Sequence, residues 1–103
     1  MRIEKLKENV YILHGKMKDI SDYYDIKLLL EKMRREQNME VFFDIPQAKE
    51  ITFYILGYWL KLARKDNFKF HIYIANPYLY NNFLNMGLNE FFKVTNGEME
   101  QYL

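Results

Sequence analysis

Apolar and polar positions change period several times along this chain, and each change marks an element. Residues 2–6 and 10–14 each read as a strand, with Lys7, Glu8 and Asn9 between them as the turn of a hairpin. In the second strand Val10, Ile12 and His14 share one face while Tyr11 and Leu13 share the other. The period then lengthens. Ile26, Leu29, Leu30 and Met33 fall at i, i+3, i+4 and i+7, the single buried stripe of a helix. Ser21 is the expected N-cap, Asp22 and Asp25 suit the positive end of the helix dipole, and Lys32, Arg34 and Arg35 suit the negative end. Glu40 to Ile45 reads as a compact central strand, closed by Pro46, which has no backbone donor to offer a ladder.

Thr52 to about Lys65 is helical again. Leu56, Trp59, Leu60 and Ala63 form its expected core side, and Tyr54, Tyr58, Lys61 and Lys65 point outward. Phe68 to Ile74 alternates strictly, so one face of the sheet is expected to be partly open to water; a parallel strand covered on both faces would be apolar throughout. Asn76 as cap, Pro77 in the first turn and Gly87 as the left-handed residue past the end define a third helix, closed by a Phe83–Leu88 contact. Phe91 to Val94 reads as a last strand, and Thr95-Asn96-Gly97-Glu98 has capping-box spacing for a brief terminal helix. The order β-β-α-β-α-β-α-β-α predicts one α/β domain over residues 1–103. Its sheet is mixed but mainly parallel, with an antiparallel edge from the first hairpin and helices mainly on one face.

Half of the 103 residues are hydrophobic and 17% are aromatic, enough to bury a core without covalent staples. Fifteen basic and fourteen acidic residues leave a net charge of +1, which offers no broad attraction to nucleic acid or anionic lipid. The absence of cysteine excludes disulfides and thiolate chemistry and suits a reducing compartment. The opening MRIEKLKEN lacks the apolar stretch of a signal peptide, and the longest apolar run, ITFYILGYWL, is too short to span a bilayer. The expected location is cytoplasmic, without membrane insertion.

Candidate chemistry is sparse. The glycines at 15, 57, 87 and 97 are too dispersed for a phosphate-cradling loop, and the single serine, Ser21, is assigned to a cap. His14 and His71 lie on strands, with no helix-spaced pair to hold a metal. No nucleophile, base and orienting group assemble, so no catalytic activity, cofactor or metal is expected. Lys69 to Tyr73 resembles the aromatic strand of an RNA-recognition motif but lacks its glycine, so no nucleic-acid partner is expected. Gly57 inside a helix costs about 1 kcal/mol relative to alanine, and the expected compensation is close approach of helix and sheet.

The middle of the chain resembles a STAS domain, the fold of anti-sigma-factor antagonists and of sulphate-transporter tails. In that family a strand ending Leu-Asp-Leu leads through a loop to Asp-Ser-Ser-Gly-Leu-Gly at the start of a helix. Here Asp44 in Phe42-Phe43-Asp44-Ile45 matches the strand aspartate, Thr52 falls on the helix-opening aspartate, Phe53 and Tyr54 fall on the serines, Ile55 on the first glycine, and Leu56-Gly57 match. Asn76-Pro77 and Leu84-x-x-Gly87-Leu88-x-x-x-Phe92 resemble the family's later motifs, so the likeness spans essentially the whole chain.

The resemblance implies a non-catalytic regulatory module that binds an anti-sigma-factor-like kinase or another switch protein through the start of its second helix. Thr52, Phe53, Tyr54, Tyr58 and Lys61, with Gln47 and Lys49 and the Lys16–Asp19 loop, form the implied contact surface. Two other readings carry the same fold: an accessory subunit of an ABC transporter ATPase and a small-ligand sensor. The family's phosphorylated serine is Tyr54 here, and a phenol hydroxyl stands several ångströms farther from the backbone than a serine-directed active site can use. The usual phosphoswitch is therefore expected to be absent. Thr52 is a possible phosphoacceptor, although its position makes it first an N-cap.

Overall fold

The computed structural model describes residues 1–99. Strands β1 (Arg2–Lys7), β2 (Val10–His14), β3 (Glu40–Ile45), β4 (Lys69–Ile74) and β5 (Lys93–Asn96) form one sheet in the order β1-β2-β3-β4-β5. β1 pairs antiparallel with β2, and every later pair is parallel. The crossovers are α1 (Ile20–Arg35), α2 (Phe53–Lys65) and α3 (Pro77–Asn85), the last followed by a 3-10 turn, Leu88–Glu90. Because spatial order follows chain order, each crossover steps the same way, and right-handed connections place all three helices on one face.

The core lies between that face and the helices. Tyr11, Leu13, Val41, Phe43, Ile45, Phe70, Ile72 and Ile74 line up in register and are buried. Trp59 of α2 is completely buried above them, stacked on Phe43 at 5.3 Å between ring centroids and edge-on to Phe92 at 6.2 Å. On the opposite face the alternation of β4 appears as expected, with Lys69 exposed and His71 and Tyr73 half-buried. The rest of that face is less open than expected: Val10, Ile12 and Asp44 are each under a tenth exposed. His14 meets Glu4 at 2.7 Å there, and His71 meets Glu40 at 2.8 Å while stacking on Phe42.

Several local expectations are corrected. α1 is capped by Asp19, not Ser21: the Asp19 amide donates to Asp22 Oδ2 at 3.1 Å, so Asp22 sits in the first turn and closes a capping box. The expected strand at Phe91–Val94 is shifted to Lys93–Asn96, because the chain first makes the 3-10 turn and Phe91 amide bonds back to Leu88. The third helix ends as anticipated, with Asn76 Oδ1 accepting from the Leu79 amide and Gly87 at φ 72°. The capping box expected at Thr95-Asn96-Gly97-Glu98 does not open a helix, because Thr95 and Asn96 are the end of β5; residues 100–103, where the rest of that expected helix falls, lie outside the described residues.

Candidate functional site

Two loops converge at the start of α2. The Thr52 amide donates to the Met17 carbonyl at 2.9 Å, Met17 and Ile51 form a parallel bridge, and the Gly15 amide donates to Gln47 Oε1 at 2.8 Å. These bonds bring the Lys16–Lys18 and Gln47–Glu50 segments side by side around a hollow of about 290 Å³, lined by both segments. The two loops assigned to the contact surface by resemblance are thus adjacent. Thr52 caps α2 with a long bond, 3.4 Å from the Tyr54 amide to Oγ1.

Past the cap, Phe53 and Tyr54 project into solvent, 80% and 61% exposed. Tyr58 does not. It is 8% exposed, and its hydroxyl donates to Glu31 Oε2 at 2.6 Å. The expectation that Tyr58 faces outward is therefore corrected, and with it the orientation of the helix. Ile55, Leu56, Tyr58, Trp59 and Leu62 form the buried side, while Leu60 and Ala63 are only partly buried. The close approach expected to explain Gly57 is absent as well. Gly57 is exposed, and a Cβ built on it would meet no atom within 4 Å.

Turning α2 this way opens a groove of about 400 Å³ between α1 and α2. Tyr54, Gly57, Tyr58 and Lys61 come from α2, and Tyr23, Lys27, Glu31 and Arg34 from α1. The tyrosine rings form a ladder at one end, Tyr23 lying 5.9 Å from both Tyr54 and Tyr58. Lys27 sits over the Tyr23 ring at 5.8 Å, where the ring quadrupole attracts a cation. Arg34 reaches Glu31 at 3.4 Å and Asp66 at 3.6 Å. Burial and then the bond to Glu31 push the Tyr58 phenol far above its ordinary range, so it is a neutral donor. The hydrogen bond from Tyr58, aided by Arg34 and Lys27 against burial, holds the Glu31 carboxyl below its ordinary range. The α1 residues of this groove were missed in the sequence, although Tyr23, Lys27 and Glu31 are spaced four apart and so share one helix face.

A second groove, about 380 Å³, separates α2 from α3 and is mainly apolar: Ile51, Phe53, Leu56, Leu79 and Met86, with Glu50, Asn82 and Asn85 at its margins. Phe53 borders both grooves. Among the described residues no group of three or more His, Cys, Asp or Glu could hold a metal ion, and no helix is long and apolar enough to cross a membrane. No protein-family model matches the chain, and no curated protein or solved structure matches it.

Proposed function

We propose that this chain is a non-catalytic regulatory module of the STAS type that binds another protein through the start of α2 and the two loops beside it. The observation that carries the reading is the exposed pair Phe53 and Tyr54 on the opening turn of α2. Single exposed apolar residues are ordinary, whereas adjacent rings bordered by polar loops resemble the aromatic anchors and polar rim of an interface. Thr52, Gln47, Lys49 and Lys61 supply that rim, and Tyr58 supports it from beneath. By resemblance the partner is an anti-sigma-factor-like ATPase kinase or a related switch protein of a bacterial partner-switching pathway. With Tyr54 in the serine position, control comes from abundance, competition or another modification.

The test compares the wild-type chain with Phe53→Ala/Tyr54→Ala as immobilised baits in extract of the source organism, read by mass spectrometry. Both side chains are solvent-exposed, so the variant is expected to keep its thermal midpoint. A kinase of the expected class should be retained by the wild type and lost by the variant. Equal retention, or no such protein on either bait, would overturn the reading. Recovery of a transporter ATPase instead would identify the accessory-subunit role.

A further inference from the structure

The glycine at position 57 lacks a structural reason. It interrupts the helix α2 at its middle, where glycine is unfavourable relative to alanine, and neither packing nor a positive φ requires it. A missing side chain on an exposed helix face has one further use, to let another backbone come close. Gly57 lies in the α1–α2 groove, so whatever comes close there also meets the groove walls.

Those walls have a definite chemistry. Helix α2, FYILGYWLKLARK, contains no acidic residue, and its Lys61 faces Lys27 and Arg34 of α1 across the groove. Among the described residues Lys27 and Lys61 make no ion pair, while the one acid lining the groove, Glu31, is occupied by Tyr58 and Arg34. Cationic groups therefore outnumber available anionic ones, in a chain whose overall charge is close to balance. Tyr23, Tyr54 and Phe53 line the same groove, with Lys27 over the Tyr23 ring.

We propose that this groove seats an acidic peptide segment of the protein partner. Its main chain lies against Gly57, its carboxylates face Lys27 and Lys61, and an apolar side chain lies among the tyrosine rings. This rests on reading the chain as a protein-binding module and adds the chemistry of the partner. The local cationic groove set in a near-neutral surface favours a narrow acidic segment over an extended polyanion.

A displayed library of random peptides, selected on the wild-type protein and then measured by fluorescence anisotropy, tests it. The expected consensus carries acidic residues around one aromatic or aliphatic residue. Gly57→Ala should raise the thermal midpoint by roughly 4–8 °C yet weaken binding of the selected peptide by at least about fivefold, since the added methyl occupies the contact. Lys61→Ala and Lys27→Ala should each weaken it by about two- to fivefold, less so in high salt. A consensus without acids, an unchanged affinity in Gly57→Ala, or preference for phosphatidylserine vesicles would overturn the proposal. If the cellular partner is lost by Phe53→Ala/Tyr54→Ala but retained in full by Gly57→Ala and Lys61→Ala, the groove proposal falls and the docking function stands. If the acidic peptides bind as described while no switch protein is captured, the groove stands and the regulatory assignment falls.

Discussion

Toward α1, helix α2 presents Tyr54, Tyr58 and Lys61; toward α3 it presents Leu56, and Phe53 borders both grooves. The first flank is held by directional contacts: a ring ladder, a phenol–carboxylate bond of 2.6 Å and an arginine that reaches both Glu31 and Asp66. The second is mainly apolar, with Leu56 and Leu79 almost completely covered and Glu50, among the described residues, the one charged residue lining the groove. The two flanks of one helix thus differ in their physics. Hydrogen bonds to charged groups fix orientation and depend on exact partners, while apolar contacts tolerate any side chain of similar volume. The α1 groove is lined largely by charged and phenolic groups, and the α3 groove mainly by apolar ones with Glu50, Asn82 and Asn85 at its margins.

The largest effect expected from breaking this arrangement is that of Tyr58→Ala. Removing a nearly buried ring that touches Tyr23 and holds Glu31 should cost about 3 kcal/mol of unfolding free energy. Tyr54→Ala, one turn away and mostly exposed, should change it by less than about 0.5 kcal/mol. Urea denaturation of the two variants measures the difference. Similar losses in both would mean that the rings act as one structural cluster, and Tyr54 would no longer be free for docking.

That contrast also shows what the sequence could and could not reveal about this helix. Its limits were legible, because Thr52 caps it and polar residues follow Lys65. Its rotation was not, because tyrosine scores as polar in a periodic pattern while most of its surface is an apolar ring. Ile55, Tyr58, Trp59 and Leu62 at i, i+3, i+4 and i+7 form the same kind of stripe that identified α1 correctly, and reading Tyr58 as apolar would have placed it inside. The strands were clearer. Glu40–Ile45 and the alternation of β4 carry their burial in their order, and Asn76, Pro77 and Gly87 bracket α3 by backbone chemistry alone. β5 was displaced because Phe91 and Phe92 look like strand residues, although the chain is still turning there after Leu88. The groove was invisible for a different reason: part of it comes from α1, and a surface made by two helices is not written in either one.

A conservative pair sharpens the comparison of the flanks. Tyr58→Phe keeps the ring and its packing but removes the hydrogen bond to a carboxylate, and should cost about 1.5 kcal/mol. Leu56→Met on the α3 flank also keeps volume and should cost less than that, on the order of 1 kcal/mol or below. If the two costs are equal, the bond to Glu31 contributes nothing beyond contact, and the distinction between directional and apolar flanks loses its basis.

The smallest effect is the most specific, because only one flank has the group to produce it. The Tyr58 hydrogen bond is the largest influence lowering the Glu31 carboxyl, so in the folded protein Glu31 titrates below its unfolded value of about 4.3. A depressed folded value means that the unfolded chain binds the proton more readily. The contribution is therefore fully present above about pH 4.3 and is lost as pH falls through the folded value. Tyr58 acts in the opposite sense at high pH. Its raised folded value makes its contribution complete below about pH 10 and lost progressively above that. In Tyr58→Phe both dependences shrink. The stability gap between wild type and Tyr58→Phe, measured by denaturant titration at a series of pH values, should be widest near neutrality and narrow toward pH 3 and above pH 10. The gap between wild type and Leu56→Met should stay flat across the same range, since Leu56 bonds to no ionisable group. A Tyr58→Phe gap that is equally flat would show that Glu31 accepts no such bond in solution, and the wall of the groove that it forms with Arg34 would have to be oriented by something else.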